Sequence, residues 1–128
     1  MFKAAILDDY QDAASGLGDW DKLKDQVEFV FFTNHQTDEK EVADRLQDFD
    51  IVMMNRERTP FLKSQLDKLP NLKLLMTSGM RNFSIDIAAA QANGVVVCGT
   101  QSVSNSTPEL TWGLILSLAR QIPKEDRL

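Results

Sequence analysis

Five short apolar runs set the fold. FKAAIL (2–7), VEFVFF (27–32), DIVMM (50–54), LKLLM (72–76) and VVVC (95–98) recur every 20–25 residues. Each is short and mostly apolar, without clean alternation. Strands covered on both faces read this way, as in a parallel sheet. Parallel neighbours need crossovers, and the intervals between the runs are long enough to hold them. Right-handed crossovers then place helices on both faces. The expected fold is α/β, a flavodoxin-like five-stranded parallel sheet of order 2-1-3-4-5.

The intervals carry helix signals. Thr37 is an expected cap for a helix over 37–48, with Val42, Leu46 and Phe49 on one stripe. Thr59-Pro60 reads as a cap followed by proline at the first helical position, opening a helix with Phe61, Leu62 and Leu66. Ser84 is the expected cap of IDIAAAQAN, and Gly94 its stop. Gly16 and Gly18 are expected to split 10–24 into two short turns.

The C-terminal segment differs from the rest. SNSTPELTWGLILSLARQIP opens with Ser106-x-x-Glu109, a capping-box pattern. At 100° per residue, Leu110, Trp112, Leu114, Ile115, Leu116 and Leu118 wrap more than one face. Such a helix needs more than one covering surface. With 128 residues the chain has room for one domain and little else. The apolar C-terminal helix is therefore expected to meet a second copy, as a homodimer through helix 107–121, or a part of the protein outside the domain.

Charge and cysteine content exclude several classes. The net charge is −5, with one histidine and no basic cluster, which opposes nucleic acid and anionic membranes. Cys98 is the only cysteine, so no intramolecular disulfide or zinc set is expected, and a cytoplasmic setting fits. Asp8 and Asp9 interrupt the one N-terminal apolar run that a signal peptide would need. No apolar run reaches membrane-spanning length.

Ligands of open α/β sheets bind beyond the carboxyl ends of the strands. Those positions hold Asp8-Asp9, Thr33-Asn34, Asn55-Arg56, Thr77-Ser78-Gly79 and Cys98-Gly99-Thr100. An acidic pair after the first strand resembles the response-regulator receiver domains. There it helps to hold Mg²⁺ beside a phospho-accepting Asp. Asn55 stands at that acceptor position, and an amide cannot be the nucleophile. VVVCGTQS supplies no counterpart of the receiver's lysine, although Thr77 suits its switch hydroxyl. No metal site is expected. Asp8 and Asp9 read as solvated turn residues, one of them bonding backbone N–H groups of the next turn.

The loops NRERT (55–59) and TSGMRN (77–82) lie side by side in the expected strand order. Arg56 offers a planar fork suited to a carboxylate. Ser78-Gly79 offers consecutive N–H groups, with Gly79 expected to permit close approach. Together they form a candidate small-carboxylate site.

The segment from VMMNRERTPF to VVVCGT, followed by STPELTWGLILSLARQIPKEDR, resembles the N-terminal part of the D-isomer-specific 2-hydroxyacid dehydrogenases. The Gly79 loop leading to Ile85-Asp86 and Ala88-Ala89-Ala90 carries the likeness. So do Gly94-Val95-Val96-Val97 and Pro108-Glu109-Leu110. The resemblance implies a flavodoxin-like substrate-binding domain over 1–105, and a helix over 106–128 leading to an NAD-binding domain. It implies that Arg56, with Arg58 as a neighbouring candidate, and the amides of Ser78 and Gly79 contact a 2-hydroxy or 2-oxo acid. Thr107 would stand near the nicotinamide.

The family's GxGxxG is not matched. SGLGDW supplies GxG, but Asp21 stands at the third glycine and no apolar strand immediately precedes it. By the same resemblance, the catalytic Arg, acidic residue and His lie beyond residue 128. His35 does not match that His and reads as a solvated loop residue. Residues 1–128 alone are expected to be inactive, with no tight NAD binding. The other readings are a stand-alone carboxylate-binding or dimeric regulatory module and a degenerate receiver.

Overall fold

The structure is a computed structural model that describes residues 1–101 and 105–127. Five strands alternate with helices. They are β1 (Phe2–Ile6), β2 (Val27–Phe31), β3 (Ile51–Met54), β4 (Leu74–Thr77) and β5 (Val96–Gly99). All pair in parallel, in the order β2-β1-β3-β4-β5 expected from the apolar runs. The helices are α1 (Ala14–Leu17), α2 (Glu39–Leu46), α3 (Lys63–Leu66), α4 (Ile87–Ala92), α5 (Ser106–Ala119) and α6 (Ile122–Glu125), with a 3-10 turn at Trp20–Leu23.

Crossovers of one hand place α1 on one face and α2, α3 and α4 on the other, because the chain reverses direction across the sheet after β2. The core lies under the second group. Ala5, Leu46, Val52, Phe61, Leu66 and Leu75 are at most 1% exposed. Burial alternates along β3 and β4: Val52, Met54, Leu75 and Thr77 are buried, whereas Ile51, Met53, Leu74 and Met76 are half-buried. Full coverage on both faces, as the apolar runs suggested, holds for β1 from Ala4 onward and not for β3 and β4.

Several local expectations move by a few residues. Asp38, not Thr37, caps α2, its carboxylate accepting the Glu41 N–H at 3.0 Å. Asp86, not Ser84, caps α4 through the Ala89 N–H at 2.9 Å. In both places two polar residues lie within one turn, and the carboxylate is the stronger acceptor for an N–H. Gly94 does stop α4, at φ +72°. Thr59-Pro60 opens no helix. Phe61 instead forms a parallel bridge to Ile85, donating its N–H to the Ser84 carbonyl and accepting the Asp86 N–H, and α3 starts at Lys63. At α5, Asn105 occupies the cap position and Ser106 is already helical, so the Ser106-x-x-Glu109 box does not form. The helix α5 buries none of its side chains, and Leu110, Trp112, Leu114, Ile115, Leu116 and Leu118 are 48–78% exposed.

Candidate functional site

The carboxyl edge of the sheet has two parts, and the first surrounds the acidic pair after β1. Asp8 and Asp9 are only 4% and 7% exposed. They are therefore not solvated turn residues. A carboxylate taken this far from water has to be hydrogen-bonded. Asp9 is satisfied by the N–H groups of Ala13 (3.1 Å) and Ala14 (2.9 Å), which start α1, so the backbone-bonding half of the expectation holds.

Asp8 is a hub. Its carboxylate meets His35 Nδ1 at 2.7 Å and accepts the Thr59 hydroxyl at 2.8 Å. The Asp8 carbonyl accepts from Arg58 Nη1 at 2.9 Å and Asn55 Nδ2 at 3.4 Å. Arg58 also lies over the Tyr10 ring, 4.3 Å from its centroid. His35, in the loop after β2, is exposed as expected, its side chain 40% accessible, and its Nδ1 is paired with Asp8, while Arg58 is committed to structure. No cluster of three metal-ligating side chains occurs among the described residues.

The same turn shows what the chain's own residues can do for a dinucleotide. In a doubly wound fold the pyrophosphate would take the helix N-terminus after the first strand. Here Asp9 occupies those N–H groups. A Cβ on Gly18 would lie 2.6 Å from the Trp20 ring, so this glycine makes room for an indole rather than a phosphate. The residues present do not fit a dinucleotide at this turn.

The second part lies after β3 and β4. Met54 pairs with Thr77 in register, so Asn55-Arg56 and Ser78-Gly79 leave the sheet side by side, as the strand order predicted. Four ties fasten the two loops. The Arg56 N–H donates to Ser78 Oγ at 3.2 Å. Asn82 Nδ2 donates to both the Arg56 carbonyl and Thr77 Oγ1 at 2.8 Å. Glu57 Oε1 accepts the Phe83 N–H at 3.1 Å. The buried Phe61 bridges to Ile85 below them. Arg56 itself adopts φ +60°, a left-handed conformation uncommon for a side-chain-bearing residue. The structure therefore brings Arg56, Ser78 and Gly79 together.

Two details of the glycine reading change. Gly79 is required for its φ of +97°, since a Cβ there would meet nothing within 4 Å. The close approach belongs to Gly99, where a Cβ would sit 2.3 Å from the Gly79 carbonyl oxygen. The Gly79 N–H is also not vacant, because it donates to Thr100 Oγ1 at 3.1 Å.

Arg56, Glu57, Ser78, Arg81 and Asn82 line an open cleft of about 440 Å³. Ser78 also borders a smaller, mainly apolar cleft of about 150 Å³, with Ile6, Leu7, Asp9, Met53 and Met54 among its walls. The sequence reading missed Arg81 and Asn82. Asn82 had a local signal: its Oδ1 accepts the Ser84 N–H two residues on, the Asx turn that an Asn-x-Ser loop favours. Arg81 had none.

Thr107, at the second position of α5, is exposed, and its carbonyl accepts the Thr111 hydroxyl. No hydrogen bond joins it to Arg56, Ser78 or Gly79 among the described residues. Residues 102–104, in the stretch between β5 and α5, lie outside the described residues.

The comparisons with known proteins agree with this architecture. Residues 5–113 match the model of the D-isomer specific 2-hydroxyacid dehydrogenase catalytic domain. A glycerate dehydrogenase from Methylorubrum extorquens is 34% identical over 84 residues, which are 65% of this chain and 26% of that protein. A phosphoglycerate oxidoreductase from Vibrio cholerae superposes with TM-score 0.84 at 36% identity, covering 96% of this chain and 39% of that one. A structure described as a putative D-3-phosphoglycerate dehydrogenase from Ralstonia solanacearum gives 0.83 at 35% identity, covering 96% and 37%. The chain thus spans well under half the length of these relatives. With a family match over 109 consecutive residues and a sheet of the expected order, this chain belongs to the D-isomer specific 2-hydroxyacid dehydrogenases, whose catalytic domain it matches.

Proposed function

We propose that this chain is the substrate-binding domain of an NAD-dependent D-2-hydroxyacid dehydrogenase. It would orient a 2-hydroxy or 2-oxo acid for hydride transfer carried out with a second, nucleotide-binding domain. The observation that carries this reading is the pairing of Arg56 with the Ser78-Gly79 loop at the ends of adjacent strands. The guanidinium would take the substrate carboxylate as a fork. The Gly79 N–H would exchange the neutral Thr100 hydroxyl for the charged carboxylate, since a charge-assisted hydrogen bond is about twice as strong as a neutral one. The Ser78 N–H is the neighbouring donor.

This chain's part is binding and orientation. Because its residues do not fit a dinucleotide at the β1 turn, NAD would be held by the second domain. Thr107 is the one residue here assigned to the cofactor. No side chain of the cleft among the described residues is a histidine, and no proton transfer is assigned to the chain.

The test is calorimetric titration of the protein with D-glycerate. Arg56→Ala should weaken binding by about tenfold or more, the usual loss for a charge-assisted contact. Equal affinity in both proteins would contradict the reading.

The bare apolar helix supports a second reading, a small-carboxylate binding module that forms a homodimer through helix 107–121. Exposed apolar area on this scale marks an interaction surface. Sedimentation equilibrium checks it: Leu114→Glu should yield a monomer if the helix is the interface, and a dimer unaffected by that change would reject it.

A further inference from the structure

We infer that Arg81 is a second anion-binding residue of this site. The substrate would then be a 2-hydroxy or 2-oxo acid with another anionic group, a phosphate ester or a second carboxylate, at its far end. The inference rests on the carboxylate site proposed above and deepens it.

The four arginines of residues 1–101 are used in two different ways. Arg45 donates to the Asn34 carbonyl and lies over Phe32. Arg58 donates to the Asp8 carbonyl and lies over Tyr10. Both guanidinium groups have structural work. The guanidinium groups of Arg56 and Arg81 have no hydrogen bond, ion pair or ring partner among the described residues, and these two line the same cleft. The chain carries net charge −5 and ties five lysines to acids elsewhere. Two unpaired arginines in one concavity stand out against that background.

The cleft also constrains where the second anion goes. Among the described residues Glu57 is its only acid and forms no ion pair with either arginine, and one of its oxygens is committed to the Phe83 N–H. The other cleft bordering Ser78 is mainly apolar and includes Asp9, so it disfavours an anion. An acid held by Arg56 and Ser78 therefore finds its second cationic partner at Arg81, in the same loop as Ser78. A cleft of about 440 Å³ falls within the range of small-molecule sites, with room beyond a three-carbon acid.

The experiment is isothermal titration of the protein with three probes: D-glycerate, D-3-phosphoglycerate and D-malate. They share the 2-hydroxy acid and differ in the group at the far end. At least one two-anion probe should bind about tenfold or more tighter than D-glycerate, as one added charge-assisted contact implies. The favoured probe identifies the second group as phosphate or carboxylate. Arg81→Gln should bring the ratio of the two affinities close to one, whereas Arg56→Ala should weaken all three probes. A ratio unchanged by Arg81→Gln, or no preference in the unaltered protein, overturns this inference and leaves the carboxylate site standing if Arg56→Ala still weakens D-glycerate. Binding of no probe, or binding indifferent to Arg56, overturns both.

Discussion

The strand ends after β1 and after β3–β4 lie on one edge of one sheet and carry opposite charges, yet they are used in opposite ways. After β1, two carboxylates are buried and every bond they make is internal: His35, Thr59 and the first N–H groups of α1. After β3 and β4, the guanidinium groups of Arg56 and Arg81 face an open cleft with no internal partner among the described residues. Buried and satisfied charge holds a shape, whereas exposed and unsatisfied charge is available to a ligand. The acidic pair is the more conspicuous in the sequence, and the arginines are the better candidates for function.

The largest effect is expected at Asp8. Asp8→Ala leaves the buried Thr59 hydroxyl without its acceptor and places alanine at φ +60°. It should cost about 2–4 kcal/mol in urea unfolding, combining an unsatisfied buried group with left-handed strain. A loss under about 0.5 kcal/mol, the usual range for a surface site, would show that the hub is not structural. Arg56→Ala should fall within that surface range for stability and show its effect in binding alone.

A smaller effect is expected at Asn82, which joins the two loops of the cleft. Asn82→Ala removes hydrogen bonds to the Arg56 carbonyl, Thr77 and Ser84. It should destabilise by about 1–3 kcal/mol and weaken carboxylate binding, because Arg56 loses its anchor. Unchanged D-glycerate affinity with reduced stability would separate loop anchoring from recognition.

The smallest effect sharpens the role of the Gly79 amide. Thr100→Val removes the hydroxyl that now accepts this N–H. A freed donor should bind D-glycerate modestly tighter, by less than about tenfold, since net gains of one hydrogen bond are about 1 kcal/mol. Weaker binding would mean that the Thr100 hydroxyl itself contacts the acid.

The sheet was legible because apolar runs and their spacing report burial and crossover length directly. Gly94 was legible because its local geometry demands glycine. The caps of α2 and α4 slipped by one or two residues, since Thr37-Asp38 and Ser84–Asp86 each offer several competent oxygens. Thr59-Pro60 imitated a helix start, but the Phe61 side chain is better satisfied in the core, and tertiary packing overrode the local signal. The burial of Asp8 could not be read at all, because its partners are 27 and 51 residues away. In the site, the adjacency of Arg56 and Ser78 followed from strand order. The commitment of Arg58 and the freedom of Arg81 did not, since both are arginines in polar loops, distinguished only by what folds against them.

Backbone amide chemical-shift mapping of the protein during titration with D-glycerate would locate the bound carboxylate residue by residue. The largest saturable shifts should fall on Arg56, Ser78, Gly79 and Thr100, with Asp8, Asp9 and His35 nearly unmoved. Shifts centred on the Asp8 hub, or spread without saturation over the surface, would contradict the assignment of the carboxylate site to the ends of β3 and β4.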